Sequence, residues 1–550
     1  MEIMRIAVIF WLSTFLFGMS HAQSMLGAAS RPNVVVILTD DHRADYLGCY
    51  GNPILRTPHI DQLAAEGVRF SNAFVTTAAC TPNRTCLLTG QYERKHGVTF
   101  SSQSSLTEEA FQETYPMQLR QAGYFVGYVG KNHTPIGPGS GINEKPESTP
   151  EQLAKAKPHF GYYNGTMEAG FDYWYGNHNH STFYPKWQHP IYRNSRVNTQ
   201  IEIFGEGAMH FLKPDPEFAG TQDFLRSKPT NQPFCMMVNF NLPHGAGTSS
   251  MKQLNSDPEL YRTTYRDQIN ELPLPETYIA KADIKTPKIP TQVYNGVTIP
   301  TYHYVHNEAD LRERMVREYQ TVTGIDRLVG NLVAELKAQG SYENTVIVFT
   351  SDHGLMHGEH GLGGKVLLYE ESIRVPMIIF DPRLPEARRG TVADELALSI
   401  DIAPTLLELA GVSIHEEMQG KSLVSVMQQD GAPWRKDFFC ENMYTGQNYP
   451  LIEGVRSEDF KYIRYFKPKP RRHHVLMLTD SIQGKQPIYE ELYDLKNDPK
   501  EITNLADSPD HADTLESFRQ RCKELVVEAK GSDDYPKTHI KNDPRKRNHQ

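Results

Sequence analysis

Apolar residues fall along this chain in two alternating rhythms, and the alternation predicts a layered α/β core. The run Asn33-Val34-Val35-Val36-Ile37-Leu38 is almost wholly apolar and rich in β-branched side chains, the pattern of a strand buried on both faces of a mostly parallel sheet. Asp40 and Asp41 follow at once. Pro58 stands where a first helical position falls, Ile60, Leu63 and Ala64 keep helical spacing, and Gly67 closes the segment. A strand over 68–74 is expected next, then a helix over 115–121 and strands over 124–129 and 234–240. Between Glu308 and Ala338 the positions Leu311, Met315, Val322, Ile325, Val329, Leu332, Val333 and Leu336 recur at threes and fours, which predicts one long amphipathic helix before Gly340. Strands over 345–350 and 375–380 and a helix over 401–410 continue the series. Strands alternating with helices predict a large doubly wound, mostly parallel sheet flanked by helices.

Two stretches break this rhythm: residues 135–197, rich in Gly, Pro, His, Asn and aromatics, and the Pro-rich residues 242–307. Loops of such length inside a compact domain tend to carry function. From about residue 415 the pattern changes to short strands, over 454–465 and 490–493, and then a helix over 514–529. The expected organisation is therefore a catalytic-type α/β domain over 31–414, a smaller C-terminal α+β subdomain with a short antiparallel sheet over 415–540, and a charged tail over 541–550. No internal repeat is evident.

The first 22 residues change the picture of where the chain works. One basic residue, Arg5, precedes the apolar run 6–19, and Ser20-His21-Ala22 supplies small residues before a cleavage point. That is the pattern of a secretory leader, too short for a membrane span, so the chain is expected to be exported, to a periplasm or outside the cell. A formal charge of -9 and a pI near 6.2 argue against nucleic acid or an anionic membrane as partner. An anionic substrate would have to be held by local cations. The six cysteines, at 49, 80, 86, 235, 440 and 522, lack the paired spacing of a structural zinc site. An exported chain could form one or two disulfides from them, with connectivity open.

The chemistry is concentrated in a few motifs. Cys80-Thr81-Pro82-Asn83-Arg84 is followed at once by Thr85-Cys86-Leu87-Leu88-Thr89-Gly90. Asp40 and Asp41 end one expected strand and Ser351-Asp352-His353-Gly354 ends another, and ligand sites of open α/β sheets gather at such carboxyl ends. Adjacent aspartates also cap helices and turns, but three carboxylates brought together suit a hard divalent cation. Basic residues recur in Gly130-Lys131-Asn132-His133, in Leu242-Pro243-His244, and in Gly364-Lys365 with Tyr369-Glu370-Glu371-Ser372-Ile373-Arg374-Val375-Pro376 after it.

In this order and spacing the motifs resemble those of the type I sulfatases, within the alkaline-phosphatase-like superfamily. The resemblance runs from Arg31 to the element Glu490-Glu491-Leu492-Tyr493-Asp494-Leu495-Lys496-Asn497-Asp498-Pro499. It implies that a maturation enzyme oxidises Cys80 to formylglycine, whose hydrate offers one hydroxyl to attack sulfur and another to expel it, splitting one hard hydrolysis into two steps. It further implies that Arg84 lies beside the nucleophile, Lys131 contacts sulfate, His133 holds a hydroxyl of the hydrate, and His244 faces the leaving oxygen as general acid. Lys365 is expected to share that last role, and Asp352 to assist deprotonation while it binds metal. The implied metal site is Asp40, Asp41, residue 80, Asp352 and His353, with Ca2+ the natural occupant and Mg2+ or Mn2+ as alternatives. Many family members carry Asn where this chain has His353, and an imidazole shifts preference toward transition metals.

Substrate specificity is expected in the irregular stretches. Residues 176–187 mix amide, imidazole and aromatic groups of the kind that bond sugar hydroxyls and stack on sugar faces, although turn and packing roles fit the same composition. His178, His180, Trp187 and Arg193 are the expected contacts. With export, this composition favours a sulfated polysaccharide or its oligosaccharides, with aryl sulfates, phosphodiesters or phosphonate monoesters as alternatives. A glycan-binding protein with a dead site would lack the nucleophile, the arginine or a metal carboxylate, and all are present.

Overall fold

The computed structural model describes residues 31–100, 104–137, 141–142, 158–159, 166–178, 219–244, 259–294, 305–444, 449–467, 481, 484–531 and 538–540. Asn33–Asp40 (β1) is buried along its whole length, and its side chains divide between two cores. Val34, Val36 and Leu38 enter one and Val35 and Ile37 the other, as the period of two along a strand requires. β1 lies inside an eight-stranded sheet with Val68–Phe70 (β2), Phe125–Asn132 (β3), Tyr173–His178 (β4), Phe234–Pro243 (β5), Thr345–Ser351 (β6), Met377–Phe380 (β7) and Thr391–Ala393 (β8), in the order β8-β2-β7-β6-β1-β5-β3-β4. Only β7 runs against the rest.

Helices cover both faces. Pro58–Glu66 (α1) sends Ile60, Leu63 and Ala64 into the core that holds Val35. Cys80–Thr89 (α2) and Tyr115–Gln121 (α3) pack on the opposite face. Glu308–Ala338 (α4) joins α1, with Asn307 capping its first turn by accepting from the Asp310 amide at 2.9 Å. Ile402–Leu409 (α5) lies with α2 and α3.

The expected strand over 68–74 is instead two. Ser71 donates to Asp394 Oδ1 at 2.5 Å and Asn72 Nδ2 to Asp394 O at 2.8 Å, so these polar residues turn the chain out of the sheet. Ala73–Phe74 then pairs with Ala397–Leu398 in a separate ribbon. β4 was not expected, since it rises out of an irregular stretch with little periodicity; it pairs in parallel register with β3, from Gly127↔Tyr173 to Asn132↔His178.

A second sheet, antiparallel, contains Asp437–Asn442 (β9), Leu451–Ser457 (β10), Phe460–Phe466 (β11) and Tyr489–Asp494 (β12) in sequence order. One face carries Phe439, Val455, Tyr462 and Leu492 and is covered by Ala512–Lys530 (α6) through Leu515, Cys522, Leu525 and Val526. The other face, with Phe438, Cys440, Ile452, Ile463, Tyr465 and Tyr493, joins the main core. Arg94, fully buried, bonds Glu441 at 2.8 Å and Glu453 at 2.7 Å across that junction. All six cysteines are free thiols. Cys440 and Cys522 sit on opposite faces of the second sheet, so they cannot bond. Among the described residues no helix is long and apolar enough to cross a membrane.

Candidate active site

Four strand ends define the site. β1 and β6 pair up to Thr39↔Ser351, which sets Asp40 and Asp41 beside Asp352 and His353. On the other side β1 pairs Leu38 with Asn239 and then Asp40 with Pro243. The slip leaves extra residues in β5, a bulge of the kind that re-aims side chains, and it carries His244 to Asp41. β3 supplies Lys131 and Asn132. Gly130 sits at φ +100°, and a Cβ there would lie 1.9 Å from Asn239 O, so only glycine lets β3 approach β5 at this point. Asp41 has φ +60°, an uncommon conformation for a non-glycine residue, held by its amide donating to Asp352 Oδ1 at 3.3 Å.

Cys80 opens α2 and is buried at the centre of this group. Its Sγ is 3.7 Å from Asp40 Oδ1, 3.2 Å from His353 Nε2 and 2.9 Å from Lys365 Nζ. One turn along α2, Arg84 donates Nε to Asp352 Oδ2 at 2.8 Å and Nη2 to Asp40 Oδ2 at 3.2 Å. Lys131 also bonds Asp40 Oδ2, and Lys365 Nζ is 2.9 Å from Asp41 Oδ1. His244 Nε2 lies 3.7 Å from Asp41 Oδ2 at the more exposed edge. His133 follows β3 and packs edge-on against Phe100 at 5.9 Å.

Burial alone would raise the carboxyl groups here. The cations reverse it: Lys131 and Arg84 hold Asp40 well below the usual carboxylate range, Lys365 and His353 do the same for Asp41, and His244 adds to both shifts only in acid, once it is itself protonated. Burial opposes protonation of His353, yet Asp352 and Cys80 bring it up to about 9 against the repulsion of Lys365. Burial pushes His244 down to about 4, with Lys365 adding to the shift and Asp41 opposing it. Burial, then Lys131 and Arg84, take His133 well below its ordinary value. His244 and His133 are therefore neutral near pH 7; His353 in the metal-free site is cationic there and adds to the charge of Arg84, Lys131 and Lys365, and a metal at its Nε2 would displace that proton.

The donor set fits a divalent cation. Ligand atoms of Asp40, Cys80, Asp352 and His353 all lie within 4.8 Å of one another, as do those of Asp40, Asp41 and His244. Three buried carboxylates are hard oxygen donors of the type Ca2+ and Mg2+ require. His353 Nδ1 faces Gly354 O at 2.9 Å, which turns Nε2 to the centre; orientation of a ligand histidine by a backbone carbonyl is a common outer-shell feature.

The structure thus brings together Asp40, Asp41, Cys80, Arg84, Lys131, His244, Asp352, His353 and Lys365, with His133 beside them. The expected sugar contacts stand differently. His178 ends β4, pairing in register with Asn132, while His180, Trp187 and Arg193 lie outside the described residues. Sequence reasoning passed over a supporting ring. Asn83, inside the Cys80 motif, donates to Asp352 O at 2.5 Å and accepts from Ser399 Oγ at 2.7 Å. The His42 amide donates to Ser351 Oγ at 3.1 Å, and Arg43 pairs with Glu359 at 2.7 Å and donates to Leu355 O at 2.8 Å. Asn83 and Ser351 sat inside motifs already singled out; Ser399 and Glu359 carried no local signal.

A fold and a site of this kind define a hydrolase of the alkaline-phosphatase-like superfamily. The sulfatase family model matches residues 32–412, and the model of the N-sulphoglucosamine sulphohydrolase C-terminal region matches 358–528. The chain belongs to the sulfatase family and is a sulfuric ester hydrolase. It is 26% identical to an N-acetylglucosamine-6-O-sulfatase of Bacteroides thetaiotaomicron over 92% of this chain and 88% of the relative. It is 27% identical to an arylsulfatase of Clostridium perfringens over 92% of this chain and 95% of the relative. Among solved structures, a protein in complex with its substrate D-glucosamine-2-N,6-O-disulfate superposes with TM-score 0.59 at 24% identity, covering 92% of this chain and 99% of the other. The phosphonate monoester hydrolase of Agrobacterium radiobacter gives TM-score 0.64 at 23% identity, covering 91% and 96%.

Proposed function

We propose that this chain desulfates a sulfated polysaccharide or its oligosaccharides, with residue 80 as nucleophile after a formylglycine-generating enzyme has oxidised Cys80. The observation that carries the reading is the convergence of Cys80 with Asp40, Asp41 and Asp352 under Arg84, Lys131 and Lys365. In its oxidised, hydrated form residue 80 supplies two geminal hydroxyls, one to attack sulfur and one to expel sulfate. Ca2+, or Mg2+ or Mn2+, held by Asp40, Asp41, Asp352 and His353, would supply Lewis acidity to a sulfate oxygen.

The remaining work falls to side chains. Arg84 spans Asp40 and Asp352 and fixes both. Both carboxylates are in reach of residue 80 to take the proton of the attacking hydroxyl. Lys365, 2.9 Å from the residue 80 sulfur, and Lys131 face the nonbridging oxygens, where preorganised positive charge is worth most in the transition state. His133 orients a hydroxyl of residue 80. His244, at the open edge, faces the leaving oxygen; as a neutral imidazole it donates a hydrogen bond, while Lys365 supplies the more readily shared proton.

The carbohydrate reading is supported by relatives named for N-acetylglucosamine sulfates and by the complex with a disulfated glucosamine. The leader pattern at residues 1–22 supports export, where such polymers are met. His178, His180, Trp187 and Arg193 are proposed as sugar contacts. Initial rates on singly sulfated amino sugars and oligosaccharides, on an aryl sulfate and on a phosphonate monoester test the proposal. Sugar sulfates are expected to have the highest kcat/KM; activity confined to the aryl sulfate or the phosphonate contradicts it.

A further inference from the structure

Lys365 reaches residue 80 from a loop with an unusual backbone. Its neighbours Gly364 and Val366 have φ of +86° and +84°. For a β-branched residue such as Val366 this is a genuine outlier, of a kind that persists only where the surroundings over-determine it. One restraint is local, the Val366 amide donating to Ala78 O at 3.0 Å. The others come from the second sheet and from the loop that follows its last strand.

Lys461 of β11 is fully buried and donates to Leu368 O at 3.0 Å. The same ammonium bridges Glu370 Oε1 and Glu501 Oε1, each at 2.7 Å. Glu501, itself at φ +55°, accepts the Glu370 amide on Oε2 at 2.8 Å. Glu491 of β12, also fully buried, accepts from Tyr369 Oη at 2.9 Å and from Tyr465 Oη at 2.7 Å. In β10 a Cβ on Gly454 would lie 3.1 Å from Leu368 Cδ1, so the bare backbone there is where Leu368 rests. Three consecutive residues, Leu368, Tyr369 and Glu370, are thus held from outside the main sheet, a few positions past Lys365. A sheet needing only to be glued to its neighbour could use any surface of it, and burying an ammonium between two carboxylates is a costly way to gain adhesion.

We propose that Lys461, Glu491 and Glu501 are positioning residues for Lys365: the second sheet and the loop after it grip the chain at 368–370 and so keep the Lys365 ammonium at residue 80. This rests on the reading of Lys365 as a cation of the sulfate pocket. Sub-ångström placement of such a group carries large rate factors, about 10²-fold for a 1 Å error.

The test is a set of double-mutant cycles. Lys461→Met and Tyr369→Phe are each made in the wild-type and in the Lys365→Ala background, with maturation of residue 80 checked by mass spectrometry and assays run below every melting temperature. Lys365→Ala is expected to lower kcat by on the order of 10²-fold. Lys461→Met and Tyr369→Phe are expected to lower kcat by about tenfold or more with little change in KM, yet by less than about twofold once Lys365 is absent. If Lys461→Met does not fold, Tyr369→Phe decides alone, since it removes one hydroxyl and leaves Glu491 its bond from Tyr465. Wild-type kcat in the single variants, or an equal loss in both backgrounds, overturns the positioning role while the sulfate pocket stands. Full turnover by Lys365→Ala overturns the role of Lys365 and this proposal together.

Discussion

Arg84 shows how much one side chain does in this site. Its guanidinium meets Asp352 through Nε at 2.8 Å and Asp40 through Nη2 at 3.2 Å, so two carboxylates from different strands are set by one rigid fork. A lysine keeps the charge but offers a single point donor on a flexible stem. Arg84→Lys is therefore expected to lower kcat/KM on sulfate esters by about 10²-fold while the protein stays folded; steady-state kinetics within about threefold of wild type would show that the fork is dispensable. At this scale the sequence was most legible where chemistry demands fixed residue types at fixed offsets, as in Cys80 to Arg84. It was least legible where a residue acts through the backbone. Asn83 holds Asp352 by its carbonyl oxygen and Ser399 holds Asn83, and neither bond leaves a trace in local pattern.

Elements were legible in proportion to their periodicity. The helix over 308–338 and the strand beginning at Asn33 read directly, because long apolar spacing has few alternatives. The strand at Tyr173–His178 did not, because its strand-forming Tyr173-Trp174-Tyr175 is too short to show a period and runs straight into Gly, Asn and His, and pairing with β3 carries it on. α1 and α4 are joined by a group that has consequences for pH. Asp326 Oδ1 accepts the amides of His59 and Ile60 at 3.0 Å and 2.8 Å. Burial nonetheless brings its carboxyl up from 3.8 to about 7, against those two bonds. The folded state then binds more protons than the unfolded chain between these values, so this group's contribution to stability falls as pH rises from about 4 to about 7 and is level above. Asp326→Asn retains an acceptor and loses the proton. Thermal unfolding from pH 4 to 7.5 is expected to show the variant gaining on the wild type as pH rises; parallel curves would contradict the shift.

The whole molecule joins two sheets around one site, and the composition alone did not reveal how tightly. The chain's net charge of -9 says nothing of the cations gathered at Asp40, Asp41 and Asp352, because local charge is set by fold and not by totals. The disulfides that composition left open do not form, and the second sheet is held by buried pairs such as Arg94 with Glu441 and Glu453. A divalent cation that binds only the folded carboxylate cluster must stabilise the whole chain by mass action. Chelation is accordingly expected to lower both Tm and turnover, with Ca2+ or Mg2+ restoring them; a Tm indifferent to chelator and added metal would argue against a cation at Asp40, Asp41 and Asp352.

The central claim concerns one atom of one residue, and peptide mass spectrometry across Cys80 in active protein reads it directly. The aldehyde form is expected at residue 80, with the converted fraction tracking kcat across preparations made with and without a maturation enzyme. Full turnover from protein whose residue 80 is entirely thiol would contradict the account.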